Sequence, residues 1–190
     1  MQSFPPGSSL QSDEGRVLWR LDRAREIISL LISSPSRPDL TGLIEQAGWP
    51  TSATAWDTAS LAPLLDRLEA EQSWRFRVTA NPTHSIATAH GTRGKRSPHV
   101  TADQQQSWFT ERAASWGFAL ESSDVTLNER GRDQFTRRTD GTERNVPVSF
   151  ATFDGVLRVV DPAALRHSLT HGMGRAKAYG CGLMTLAPLS

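Results

Sequence analysis

Apolar residues recur at two distinct periods along the chain. Val17, Trp19 and Leu21 alternate with Leu18 and Arg20, the two-residue period of a strand. Ile27 to Ile32 is almost wholly apolar, and the polar link of residues 22–25 predicts a hairpin between the two. Pro38-Asp39 then opens a helical stretch with Leu40, Leu43, Ile44 and Ala47 at helical spacing, closed by Gly48. Leu61 to Leu68 predicts a short helix, and Trp56 the start of a strand.

A second unit begins at Trp74. Trp74, Phe76 and Val78 alternate with Arg75, Arg77 and Thr79, and Asn81-Pro82 stops the strand. Residues 83–100 read as a basic loop. Asp103 to Gly117 reads as a helix that turns Trp108, Phe109, Ala113 and Trp116 toward the core. Val125 to Leu127 starts a strand that runs into a basic stretch, and Val146 to Phe153 and Gly155 to Val160 read as strands. Asp161 is a good N-cap with proline behind it, opening a helix through Leu165 and Leu169. Leu183 to Leu186 closes the unit as a strand. Strand, helix, strand, strand, helix, strand is the ferredoxin-like order. The first unit shows the same order without its first strand and helix. The expected fold is therefore α+β, two tandem ferredoxin-like (RRM-like) domains: residues 1–72, incomplete, and residues 73–190, with a basic hairpin and a glycine-rich loop.

Composition narrows the function classes. At 190 residues with 37% hydrophobic and 22% charged content, the chain is ordinary for a globular protein. No apolar run approaches the ~20 residues that span a bilayer, and the first residues lack a signal-peptide pattern. A single cysteine, Cys181, excludes an intrachain disulfide. Cytoplasmic residence, with no membrane partner, is the expectation. Net charge is +1, unevenly spread: residues 1–70 hold six Arg against nine acids, residues 71–190 fifteen basic residues against eleven acids. From Pro162 to the end there are three basic residues and no acid. The asymmetry hints at a polyanion bound by the C-terminal half, although on charge alone a solvated face is the favoured reading, since the excess is small.

Residues 171–182, HGMGRAKAYGCG, match neither a phosphate-binding P-loop nor a dinucleotide fingerprint. Two readings stay open. Gly172 and Gly174 admit a close-lying phosphate backbone, with Arg175 and Lys177 supplying charge, or the glycines serve only a tight connection. Asn128 to Arg144 places Arg130, Arg132, Arg137, Arg138 and Arg144 on an extended hairpin, interleaved with four acids. Lys95 and Arg96 form a weaker basic segment. Of five histidines only His167 and His171 stand four apart, at a helix end, with no third ligand in view, so neither metal nor cofactor is expected.

Asp161-Pro162-Ala163-Ala164-Leu165 followed by HGMGRAKAYGCGLMTLAP (171–188) closely resembles the C-terminal end of the CasE family, the CRISPR RNA-processing endoribonucleases of type I-E systems. GRVLWRL (15–21), WRFRVTANP (74–82), GKRSP (94–98) and TFDGV (152–156) match in the same order. The resemblance implies two ferredoxin-like domains, binding of the repeat stem-loop of precursor CRISPR RNA, and metal-independent cleavage at the base of the stem. Attack by a 2′-hydroxyl would leave a cyclic phosphate, and the enzyme would stay on the RNA beside other Cascade subunits. Gly172, Gly174, Arg175 and Lys177 would contact the backbone, and Arg130, Arg132, Arg137, Arg138, Lys95 and Arg96 the RNA around it. The family's catalytic His belongs to a helix that would fall before Met1. No catalytic residue is therefore assigned, and the chain is expected to bind the hairpin and cleave it poorly. A non-catalytic RNA-binding or assembly subunit is the alternative.

Overall fold

Trp74, Phe76, Val78 and Ala80 all point to one side of the strand Ser73–Ala80 and are buried there, and the rest of the C-terminal unit is built around them. A computed structural model describes residues 11–47, 56–86, 95–120, 122–139 and 141–189. In chain order the elements are β1 (Gln11–Ser12), β2 (Gly15–Arg16), β3 (Leu18–Ala24), β4 (Ile27–Ser33), α1 (Thr41–Ala47), α2 (Ala62–Asp66), β5 (Ser73–Ala80), β6 (Thr83–Ile86) and β7 (Lys95–Pro98). They continue with α3 (Ala102–Thr110), β8 (Phe118–Ala119), β9 (Val125–Thr139), β10 (Thr142–Val159), α4 (Pro162–His171) and β11 (Met184–Pro188).

The C-terminal sheet runs β11, β5, β10, β8, with β9 also paired to β10, and all pairs are antiparallel. Taking β8 and β9 together as the second strand, this is the fourth, first, third, second order of a ferredoxin-like sheet, with α3 and α4 as its two helices. The core is aromatic. Phe109 of α3 lies flat on Phe153 of β10, centroids 4.4 Å apart, and also stacks on Phe76 at 5.7 Å. Thr101 caps α3 in a reciprocal box with Gln104, and Asp161 caps α4 by accepting from the amides of Ala163 and Ala164. Leu64, Leu65 and Leu68, in and just after α2, pack on this same core, and Arg166 of α4 donates to the carbonyls of Leu65 and Leu68.

Several expectations change. Residues 56–60 form no strand: Asp57 and Ser60 take the backbone amides of Thr58 and Ala62, a local satisfaction that competes with a ladder. Residues 83–100 are not simply a loop, since β6 pairs with β7, the tip between them lying outside the described residues. The 103–117 helix stops at Thr110 and continues as turns to Gly117, which takes φ 93°. Asp154-Gly155 does not divide β10, because both stay in the ladder opposite Arg77 and Phe76, and Asp154 accepts two bonds from the Arg77 guanidinium at 2.6 Å.

The largest revision concerns β3. Its hairpin with β4 forms as expected, but β3 runs on to Ala24 and the turn is at Arg25-Glu26, at the last residue of the anticipated link. The inward residues are Leu18 and Arg20, while Leu21 is 42% exposed. Arg20 is 2% exposed. It meets both carboxylate oxygens of Asp22, at 2.7 and 2.9 Å, and donates to the carbonyls of Arg77 and Leu183 and to Thr185 Oγ1. Every one of those last three partners belongs to the C-terminal unit. Gly48, the expected stop of α1, lies outside the described residues.

Candidate nucleic-acid interface

The last turn of α4 delivers the chain into the glycine-rich loop, residues 172–183. Gly172 takes φ 77°, and a Cβ on it would stand 2.6 Å from Leu18 Cδ2. Gly180 takes φ 81°, and a Cβ there would stand 2.8 Å from Trp19 Cζ3. Only glycine tolerates both demands. The bare sides of Gly172, Gly174 and Gly180 thus face Leu18, Trp108 and Trp19, which makes the loop the seat on which β3 docks. Trp19 Nε1 adds a bond to the carbonyl of Ala178 at 3.3 Å. Met173 and Gly182 close the loop through a 3.0 Å backbone bond, and the Gly182 amide reaches Thr79 at 2.7 Å.

Arg175 projects from this loop into solvent. Lys177 is half-buried, its stem lying over Gly172 and Gly182. Burial lowers its pKa below the ordinary lysine value, and the neighbouring Arg16 guanidinium lowers it further. Cys181 is buried beneath the loop. Desolvation, with a smaller contribution from Asp133, pushes its thiol up to about 12, which disfavours the thiolate at neutral pH.

The arginine-rich stretch is the long β9–β10 hairpin, and its register divides the arginines. Arg137 stands opposite Arg144 and Phe135 opposite Val146, whereas Arg132 stands opposite Ser149 and Arg138 opposite Glu143. Alternate residues of a strand face opposite ways. Arg130, Arg132 and Arg138 therefore share the side that carries Ala151 and Phe153, while Arg137 and Arg144 share the other side with Phe135. Arg138 is paired with Glu143. Phe135 packs on Tyr179 of the glycine-rich loop, centroids 4.9 Å apart, so the second side adjoins that loop.

A third basic segment comes to the same neighbourhood through Trp108. Its ring lies under Gly174, and its Nε1 donates to the carbonyl of Thr83, at the start of the β6–β7 hairpin. Lys95 opens β7, and Arg96 follows it with an exposed side chain. Three segments far apart in sequence are thus linked at the loop, two of them through aromatic contacts that no local pattern announces, the β6–β7 hairpin by its root at Thr83. Arg16, beside Lys177, is the cation the sequence reading did not single out, although it falls within the matched GRVLWRL stretch.

Other features do not compete as sites. His167 and His171 stack at 3.9 Å on the last turn of α4, with Thr170 Oγ1 2.9 Å from His171 Nδ1. Among the described residues no three His, Cys, Asp or Glu side chains converge, and no helix is long and apolar enough to cross a membrane. A cleft of about 510 Å³ opens on the bare face of the C-terminal sheet, where Arg77 and Asp154 satisfy one another.

Residues 1–188 match the family model described as CRISPR associated protein. The chain is 32% identical over 188 residues to the CRISPR-associated endoribonuclease Cse3 of Thermus thermophilus, covering 95% of this chain and 83% of that protein. It is 26% identical over 185 residues to the CRISPR system Cascade subunit CasE of Escherichia coli K12, covering 90% and 89%. A solved structure of the endoribonuclease Cse3 bound to a 19-nucleotide RNA superposes with TM-score 0.70 at 27% identity, covering 92% of this chain and 80% of that one.

Proposed function

The chain belongs to the CRISPR-associated protein family, and on that premise we propose that it binds the repeat stem-loop of precursor CRISPR RNA, cleaves it, and remains on the product as a Cascade subunit. The meeting of the glycine-rich loop, the β9–β10 hairpin and the β6–β7 hairpin around Tyr179 and Trp108 carries this reading. An A-form stem offers exposed phosphates and a major groove too narrow to read, so arginine and lysine contacts to its backbone suit it. Arg175 and Lys177 serve the phosphates at the loop, and Gly172 and Gly174 serve by allowing the loop the backbone path that presents them. Arg130, Arg132, Arg137 and Arg138, from the two sides of the β9–β10 hairpin, and Lys95 and Arg96 are the further contacts along the stem. The division of labour follows residues 1–72 and 73–190, the second unit holding these contacts.

Cleavage in this reading needs no metal. The 2′-hydroxyl attacks the adjacent phosphorus, the P–O5′ bond breaks, and the products are a 2′,3′-cyclic phosphate and a free 5′-hydroxyl. A cation beside the phosphate stabilises the charge that builds on its oxygens. No side chain is assigned as the general acid or base. The test is a labelled repeat hairpin incubated with the chain in EDTA. A cyclic-phosphate product that vanishes when the scissile nucleotide lacks its 2′-hydroxyl supports the enzyme. Tight, salt-sensitive binding without cleavage supports the alternative, an RNA-binding assembly subunit, and absence of binding removes both.

A further inference from the structure

β2 is pressed against the last turn of α4: a Cβ on Gly15 would stand 2.9 Å from the carbonyl oxygen of Thr170. That contact brings Arg16 to the end of the helix, where Lys177 lays its stem over Gly172. Arg16 Nε is buried and has no hydrogen-bond partner. Among the described residues neither Arg16 nor Lys177 makes an ion pair. The chain offers no acid from Pro162 onward. Two cations are thus brought to the C-terminal end of α4 on a partly buried surface, where among the described residues no carboxylate pairs with either. The influence of Arg16 on the Lys177 ammonium is the electrostatic trace of that proximity.

A folded chain bears such an arrangement when an anion completes it. The geometry favours a tetrahedral oxyanion. The paired Nη groups of a guanidinium present donors to two phosphate oxygens while the buried Nε stays behind them, and a lysine adds a compact charge at a third. We propose that Arg16 and Lys177 form one clamp for a single backbone phosphate of the bound RNA, Arg16 gripping two oxygens and Lys177 a third, with the phosphate on the solvent side of the two cations. The proposal rests on the RNA-binding reading above and adds to it a residue from the N-terminal part of the chain. It makes the β2–α4 contact part of the RNA site.

The full chain tests it as Arg16→Gln, Lys177→Gln and the double variant, with affinity for a repeat hairpin RNA measured over a range of salt. Each single variant is expected to bind about tenfold more weakly, the scale of one charged hydrogen-bonded contact. The double variant should lose little more, because one phosphate is shared. Hairpins neutralised one phosphate at a time as methylphosphonates should reveal a single position that weakens the wild type by the same factor and changes neither variant further. Arg16→Lys, which keeps the charge and most of the stem, should bind more weakly than the wild type and answer to that same position. Variants that answer to different phosphates overturn the clamp. So does an Arg16→Lys or Arg16→Gln protein that binds like the wild type while Lys177→Gln does not, which leaves the RNA-binding reading standing. An unsubstituted chain that binds no hairpin overturns that reading itself.

Discussion

β5 and β3 are similar strands by pattern, each alternating bulky apolar residues with arginines, yet they are held in opposite ways. β5 turns Trp74, Phe76, Val78 and Ala80 inward and leaves Arg75 and Arg77 on its bare face. β3 turns Leu18 and Arg20 inward and leaves Leu21 half out, and its partner β4 exposes Ile27, Ile28 and Leu30. One strand is fixed by an apolar core that it helps to build. The other is fixed by docking on a finished unit through one guanidinium and two glycines that let it approach. A strand with little core beneath it still acquires a defined place when its polar contacts are complete, since unpaired buried donors and acceptors would cost more than any alternative placement.

The widest test of this contrast removes a piece of the aromatic core. Phe109→Ala strips the ring that lies flat on Phe153 and should cost about 4 kcal/mol through lost burial and the cavity left behind. Denaturant unfolding should show β3 and β5 losing protection together, since β3 has nothing to dock on once β5 is lost. Arg20→Met reverses the logic. It strands the Asp22 carboxylate and frees the carbonyls of Arg77 and Leu183, a loss of about 3 kcal/mol. Hydrogen exchange should then rise in residues 18–33 while residues 73–80 stay protected. Equal loss of protection in both strands would show that the two regions share one cooperative core, and the contrast would fail. Gly180→Ala sits between them, placing a Cβ against the Trp19 ring at an unfavourable φ, and should cost about 1–2 kcal/mol. The strain should fall mainly on the β3 seat, visible as increased solvent exposure of Trp19 fluorescence.

How much of this the amino-acid pattern displays depends on what each element is held by. The C-terminal unit was legible because its elements bury apolar faces at the standard periods and Asp161 with Pro162 is a local cap, whereas the reading of α3 from Asp103 misses its Thr101–Gln104 box. β3 was half legible: alternation identified a strand, but alternation alone does not say which of its two faces is buried. An arginine inside an apolar run reads as solvent-facing unless its partners, here 57 and 163 residues away, are already in view. The site follows the same rule. Its charged residues stand out in sequence, while the contacts that gather them, Phe135 on Tyr179 and Trp108 beneath Gly174, are long-range packing events with no local mark. The glycine-rich loop illustrates the limit best. Its glycines suited a phosphate, and the structure turns their bare sides toward leucine and tryptophan instead.

The smallest stability effects are expected on the β9–β10 hairpin, and they divide function where stability is silent. Replacing Arg130 and Arg132 together, or Arg137 and Arg144 together, by glutamine removes exposed charges and should shift unfolding by no more than about 0.5 kcal/mol. RNA binding should separate the two pairs. Arg137 and Arg144 share the face that carries Phe135, whose ring packs on Tyr179 of the glycine-rich loop. Arg130 and Arg132 lie on the opposite side, continuous with the strand face covered by α3 and α4. For every phosphate that a variant no longer neutralises, the dependence of log affinity on log salt should flatten by about 0.7–0.9. The Arg137 and Arg144 pair should therefore flatten it by nearly twice that, and the other pair by less. The reverse result would place the RNA stem on the helix side of the hairpin, away from the glycine-rich loop. The loop would then hold β3 and a single phosphate, and the recognition of the stem would belong to the hairpin alone.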